Sequence, residues 1–394
     1  MVLIAKITLF QIMQNSNANK TIVFIRSTRP DTDSRLSKSV NTALKAGFHV
    51  VVLAWDRACE LKEKDRIELP SGSAQLYLFK KVLPHGGGFK GFFKIIGFNL
   101  WIQRTLKNRI KNISIVHACD LDTGFSAKRF CRRRHIKLVY DIYDFYSASR
   151  KMPSCFKWVF RKMEFSVINK ADATIICSDE RREQLSGSKP KTVFVVYNTP
   201  DIPKSLLTKA SAGSTPLRVA YFGVLSDGRL LLDVIHAIDG DSRFALVIGG
   251  IGSYEEKIKA IVEKSANISY IGRQPYAKVL EIENNSDVLF ATYDPSIENH
   301  KFSAPNKLYE AMALGKPIIV CKGTSVDRLV EKNQIGLSCQ YTEESFKQCL
   351  VKMLDHSLYF SFSKNCLTLY PEFSYEKNEK TILMVYSSIL GGTK

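Results

Sequence analysis

The sequence predicts an α/β chain of two doubly wound domains, and three observations carry that expectation. Short, continuously apolar runs alternate with helical segments, as strands buried on both faces of a parallel sheet should. The 394 residues exceed what one core usually holds. Net charge is confined to one half: residues 1–205 carry 36 Lys and Arg against 17 Asp and Glu, whereas 206–394 carry 21 against 21. With 45% hydrophobic and 24% charged residues the chain is an ordinary globular one. A net charge of +19 in one half suits an anionic partner met over a wide surface, such as a membrane leaflet, a lipid pyrophosphate or nucleic acid.

In the first half, Thr21–Ile25 reads as a buried strand. A polar loop follows, then a helix from Arg35 to Lys45 stopped at Gly47, then a strand over His49–Ala54. Strand, helix and strand joined by short loops make a right-handed βαβ unit. Further strands are expected at 114–117, 137–141, 173–177 and 193–197. Ligands of such sheets bind beyond the carboxyl ends of the strands. His117 and Asp120 follow the third strand, Asp144 follows the fourth, and Asp33 and Arg35 follow the first. Core packing for His117 and an N-cap role for Asp120 stand as alternatives to site roles. Residues 89–110 alternate aromatic and aliphatic side chains with Lys90, Lys94, Arg104, Lys107 and Arg109. Clusters at 131–135 and 156–162 add to the basic surface. That pattern suits an interfacial helix on an anionic membrane or, equally for any one cluster, solvated helices over a sheet.

Residues 201–216, rich in Pro, Gly and Ser, read as a linker. A second sheet opens at Leu217–Gly223, and the loop from Gly223 to Arg229 leads into a helix. Glycine lets backbone amides approach a phosphate, and Arg229 can grip one bidentately. More strands follow at 244–252, where Gly250 lies in a Gly-rich turn, and at 268–272 and 286–293. Asn306, Lys307 and Glu310 share one face at the start of a helix, followed by a Gly-Lys-Pro stop and a strand ending near Val320. A helix N-terminus attracts anions, Lys307 adds a cation, and Glu310 can accept from hydroxyls. A phosphate and a polyol side by side describe a nucleotide-sugar, whereas a plain amphipathic helix would carry the same three residues without binding anything.

The string Ser-Ala-Pro-Asn-Lys-Leu-Tyr-Glu at 303–310, with Gly-Lys-Pro-Ile-Ile at 315–319, resembles the donor signature of retaining GT-B glycosyltransferases of family 4. His117-Ala-Cys-Asp-Leu-Asp-Thr123, Asp141-Ile-Tyr-Asp144 and Gly223-Val-Leu-Ser-Asp-Gly-Arg229 are similar to further motifs of that group, over residues 20 to 390. The resemblance implies two Rossmann-like domains flanking an interdomain cleft. Residues 1–205 would bind an acceptor and the membrane, 206–374 would bind the nucleotide-sugar, and a helix over 375–394 would cross back to the first domain. It implies catalytic roles for His117 and Asp120, donor roles for Gly223, Arg229, Gly250, Asn306, Lys307 and Glu310, and acceptor roles for Asp33, Arg35 and Asp144. It departs from the pattern at Cys119, Tyr143, Leu230 and Phe302, the last standing where the first Glu of a Glu-x7-Glu pair is usual. Lys301, Asn299 and Asn306 are the alternative sugar contacts.

Nine Cys residues show no metal spacing and read as buried small hydrophobes in a reducing compartment. No run reaches the length that spans a bilayer, and residues 1–13 lack the marks of a signal peptide. Whether Met1 or Met13 starts the chain stays open. The expected activity is metal-independent transfer, with retention, of a sugar from a nucleotide-sugar to a lipid-linked or lipopolysaccharide acceptor. The protein should need no cofactor and should sit on the cytoplasmic face of the membrane. A catalytically silent paralogue serving as a membrane scaffold is the alternative, kept by Cys119, Tyr143 and Phe302. Nucleic-acid binding is not expected.

Overall fold

The structure is a computed structural model that describes residues 17–62, 65–83, 88–150, 152–206 and 214–391, without the side chains of 88–92 and 204. The start over 1–13, residues 207–213 of the linker, and the Lys90 side chain therefore lie outside the described residues. The chain forms two compact units, Met1–Val196 with Asn378–Lys394, and Tyr197–Lys377.

In the first unit, eight strands run β1 (Thr21–Arg26), β2 (His49–Asp56), β3 (Arg66–Leu69), β4 (Gly72–Lys80), β5 (Ile113–Cys119), β6 (Lys137–Ile142), β7 (Ala173–Ile176) and β8 (Val193–Val195). Their spatial order is β3-β4-β2-β1-β5-β6-β7-β8, parallel throughout except for the β3/β4 hairpin. β1 shows why the central runs are continuously apolar. Val23 and Ile25 enter one core, under the helices Gly88–Asn108, Leu121–Arg134 and Ser154–Ile168. Ile22 and Phe24 enter the other, with the helices Ser34–Lys45 and Tyr375–Leu390. Asp33 caps the helix Ser34–Lys45 by accepting from the Leu36 amide at 2.9 Å. Gly47 then takes φ 83°, a left-handed conformation that costs glycine little.

The helix Tyr375–Leu390 buries Ile382, Val385, Tyr386 and Ile389 among Phe24, Val40 and Phe48, so the chain's last helix completes the core of the first unit. Lys45 Nζ holds Glu379 at 2.8 Å on the same helix.

In the second unit, six parallel strands run β9 (Leu217–Val224), β10 (Phe244–Ile251), β11 (Ile268–Tyr270), β12 (Val288–Ala291), β13 (Ile318–Cys321) and β14 (Gly336–Cys339). Their order is β11-β10-β9-β12-β13-β14. Val219 and Tyr221 face one core, and Ala220 and Phe222 the other. The early part of the expected linker packs here: Ile202 is buried with Leu280, Ala313 and Leu314. Residues 197–206 therefore belong with the second unit rather than with the first.

Glu164, on the helix Ser154–Ile168, is 0% exposed and accepts from the Tyr140 hydroxyl and the Tyr146 amide, each at 3.0 Å. Burial outweighs these donors and pushes its pKa from 4.5 up to about 8. The folded state thus favours the neutral acid. The stability this contributes is full below pH 4.5 and is lost as pH rises through about 8. Chemical denaturation between pH 5 and 9 should show that decline, and Glu164→Gln, which cannot ionise, should flatten it. An unchanged slope in the variant would mean that another group titrates.

Candidate functional site

Both sheets reverse their strand order, the first between β1 and β5 and the second between β9 and β12. At such switch points loops diverge to opposite faces and open a crevice at the strands' carboxyl ends.

In the second unit the residues converge on the end of β9. Lys307, in the first turn of the helix Asn306–Leu314, is 8% exposed, with its ammonium 4.4 Å from the centroid of the Tyr221 ring. Burial alone would lower its pKa, but Tyr221, Tyr293, Glu310 and Glu283 turn the shift upward, so Lys307 remains a cation. Gly223 packs close against it: a Cβ there would lie 2.9 Å from Lys307 Nζ. Arg229 is half-buried, with its guanidinium 4.9 Å from the Tyr293 centroid and its carbonyl accepting from Thr292 Oγ1 at 2.7 Å. The Tyr293 and Tyr221 phenols raise its pKa against burial. Two cations thus flank two phenols at one strand end. Asn306 is exposed at the head of its helix, where no side chain caps the amides.

Glu310 is 4% exposed, and its Oε1 accepts from the Tyr276 hydroxyl at 2.9 Å. Below it, Glu283 is fully buried with neither carboxyl oxygen hydrogen-bonded, and burial beside Glu310 keeps it in the neutral form. Gly250 does not present its backbone to a ligand. Its amide donates to Gly272 O at 2.9 Å, its carbonyl accepts from Tyr270 at 2.9 Å, and a Cβ there would fall 1.8 Å from Gly223 O. Its role is the close packing of β9 on β10.

In the first unit, Asp120 lies directly past β5 with φ 61°, a strained conformation for a residue with a side chain. It is held by amides of Tyr143 (2.8 Å) and Asp144 (3.2 Å) and by an ion pair with Arg26. Burial, opposed by Arg26, pushes its pKa up to about 6. Arg26 also bonds Asp33 at 2.6 Å and lies 4.0 Å over the Tyr143 ring, so Asp33 serves both as helix cap and as partner of Arg26. Asp144 is exposed and pairs with Arg181 at 3.1 Å.

Arg35 also approaches the Tyr143 ring, 4.9 Å from its centroid, but it and His117 are buried. His117 is 0% exposed, stacked on Phe24, with Nδ1 2.9 Å from the Tyr386 hydroxyl and Nε2 3.4 Å from Asp141. Arg35 is buried too, bonded to Asp141 at 2.8 Å and to Val196 O at 2.6 Å. The expected catalytic histidine and acceptor-binding arginine therefore form an internal strut with Asp141, and both are buried. Cys119 and Tyr143, the departures from the family pattern, meet at 3.6 Å, so the pair fills the space with a thiol and a phenol.

Sequence reasoning missed Arg26, Asp122, Arg57 and Arg150. Asp122 was visible inside its motif, but its buried carboxylate gathers Ser27 (3.0 Å), Arg57 (3.3 Å) and Arg150 (3.2 Å), partners up to 95 positions away.

Among the described residues no helix is long and apolar enough to cross a membrane, and no three His, Cys, Asp or Glu side chains converge as a metal site. Seven of the nine Cys residues are buried as expected, but Cys59 and Cys155 are exposed.

Two family descriptions match the chain: Glycosyltransferase Family 4 over residues 40–202 and Glycosyl transferases group 1 over residues 216–356. No curated protein sequence matches it. Among solved structures, sucrose-phosphate synthase from Thermosynechococcus elongatus superposes with a TM-score of 0.73 at 14% identity, covering 95% of this chain and 100% of that one. Anabaena HepE in complex with UDP gives 0.68 at 14% identity, covering 94% and 100%. A glycosyltransferase from Rickettsia africae gives 0.66 at 13% identity, covering 95% and 100%. At these identities the likeness shows the fold.

Proposed function

The chain carries a Glycosyltransferase Family 4 domain and a Glycosyl transferases group 1 domain, and on that footing we propose that it is a GT-B glycosyltransferase that moves a hexosyl group from a nucleoside-diphosphate sugar to a lipid-linked or lipopolysaccharide acceptor. The transfer retains configuration and needs no metal ion. The observation that carries the donor reading is the convergence of Lys307, Arg229 and the start of the helix Asn306–Leu314 beside Tyr221. Similar folds have been solved holding UDP and UDP-glucose. As the glycosidic bond breaks, charge grows on the departing diphosphate, and fixed cations with a helix N-terminus stabilise that charge without reorganising. Glu310, steadied by Tyr276, accepts from donor hydroxyls. In the first unit Asp120, with a pKa of about 6, is largely ionised at neutral pH and can orient an acceptor hydroxyl. Incubation with a panel of nucleotide-sugars should release nucleoside diphosphate from at least one of them. If none is hydrolysed or transferred, the silent-scaffold reading takes its place.

The acceptor reading rests on the first unit's surface. The helices Gly88–Asn108, Leu121–Arg134 and Ser154–Ile168 lie side by side, linked by Gln103 to Ser126 (2.6 Å) and by Lys128 to Ser166 (2.8 Å). Together they carry 12 Lys and Arg, and their two acidic residues, Asp122 and Glu164, are both buried. Phe93, Leu100, Phe125, Phe156 and Trp158 are exposed among those bases. Cations around exposed aromatics suit an anionic lipid surface, where each basic residue contributes about 1 kcal/mol. The protein should therefore sediment with anionic and not zwitterionic vesicles. Neutralising Lys94, Arg104 and Lys107 should weaken that binding, and equal partitioning to both vesicle types would contradict it.

A further inference from the structure

Arg57 directly follows β2, and Arg150 lies between β6 and the helix Ser154–Ile168. Both guanidiniums bond the same oxygen of Asp122, Arg57 at 3.3 Å and Arg150 at 3.2 Å, and Ser27 Oγ donates to that oxygen as well at 3.0 Å. Asp122 is 6% exposed, so one buried carboxylate serves two guanidiniums. Arg57 Nε is buried with no acceptor. Each guanidinium is fixed against a ring, Arg57 at 4.8 Å from the Trp55 centroid and Arg150 at 4.0 Å from that of Tyr146. Both remain within reach of solvent, with side chains 24% and 41% exposed. Burial, and the nearby cations Arg150 and Arg26, disfavour the charged form of Arg57 against the pull of Asp122. An arriving anion would relieve that crowding. The pair stands at the carboxyl ends of β1 and β2, beside the sheet's switch point.

We propose that Arg57 and Arg150 form an anion site in the first unit that takes a phosphate or diphosphate group of the acceptor substrate. The inference rests on the glycosyl-transfer reading for the word acceptor, but not for the site itself. Each guanidinium presents a planar donor fork of the kind that grips phosphate oxygens bidentately, and the two meet at one point, the Asp122 carboxylate. The group can belong to a soluble sugar phosphate or to a lipid headgroup.

Calorimetric titration of the full chain with inorganic pyrophosphate, in saturating UDP so that the donor site is filled, tests the proposal. Wild type should bind, and Arg57→Ala and Arg150→Ala should each bind roughly tenfold or more weakly. Arg150→Lys should recover only part of the loss, because an ammonium lacks the fork. Arg150 is the safer variant, its side chain being 41% exposed, whereas Arg57→Ala also removes a partner of the buried Asp122 and lowers the thermal midpoint; UDP affinity should match wild type in both. Sedimentation with phosphatidylglycerol vesicles separates the sources. A matching loss there assigns the site to a headgroup, and retained vesicle binding assigns it to a phosphorylated substrate. Pyrophosphate binding that is absent, or equal in wild type and both variants, overturns the site. Failure of UDP itself to bind would instead count against the donor reading.

Discussion

Arg229→Ala should weaken UDP binding by roughly tenfold to a hundredfold, the loss expected when a charge-assisted hydrogen bond worth about 1.5–3 kcal/mol is removed. Lys307→Met should do at least as much. Its ammonium is buried against Tyr221, with Glu310 the nearby carboxylate that favours its charge. A diphosphate would meet it in a poorly solvated site, where charge counts for more than in water. Methionine keeps the packing volume, so the thermal midpoint without nucleotide should move little. Unchanged affinity for UDP, GDP, dTDP and ADP in both variants would remove these residues from the site.

Asp141→Ala should lower stability by about 3–5 kcal/mol, the usual cost of breaking a buried ion pair from one side. Asp141 is 1% exposed. It faces Arg35 at 2.8 Å and His117 at 3.4 Å, and His117 in turn reaches Tyr386 on the last helix. Burial would raise its pKa, but Arg35 and His117 hold it below the usual carboxylate range. That stability is present above pH 3.8 and is lost as pH falls below it. Denaturation of the variant at pH 7 measures the cost. A change below about 1 kcal/mol would mean that Arg35 finds another partner once the carboxylate is gone.

The parallel core was legible because strands covered on both faces cannot hide their apolar runs, as Thr21–Arg26 and Ile318–Cys321 show. The β3/β4 hairpin was not, since Arg66-Ile-Glu-Leu69 lies at the sheet edge and mixes charge with apolar residues. In the second unit Arg229, Lys307 and Glu310 could be read because loop and helix start are contiguous stretches of sequence. In the first unit the same reasoning misplaced His117. Its environment is made by Tyr386, 269 positions away, and no local pattern announces such a partner. Arg26 was overlooked for the same reason, its carboxylate Asp120 lying 94 positions on. The resemblance gave Gly250 a donor role, but steric demand between strands and close approach to a ligand select the same residue.

The central claim is that the second unit binds a nucleoside diphosphate, and thermal unfolding of the wild-type chain with UDP, GDP, dTDP and ADP tests it most directly. A ligand that binds only the native state adds about 2.7 kcal/mol at a hundred times its Kd. The account predicts that at least one of the four raises the midpoint by a few degrees, and that Lys307→Met abolishes the rise. No shift with any of the four at millimolar concentration would contradict it.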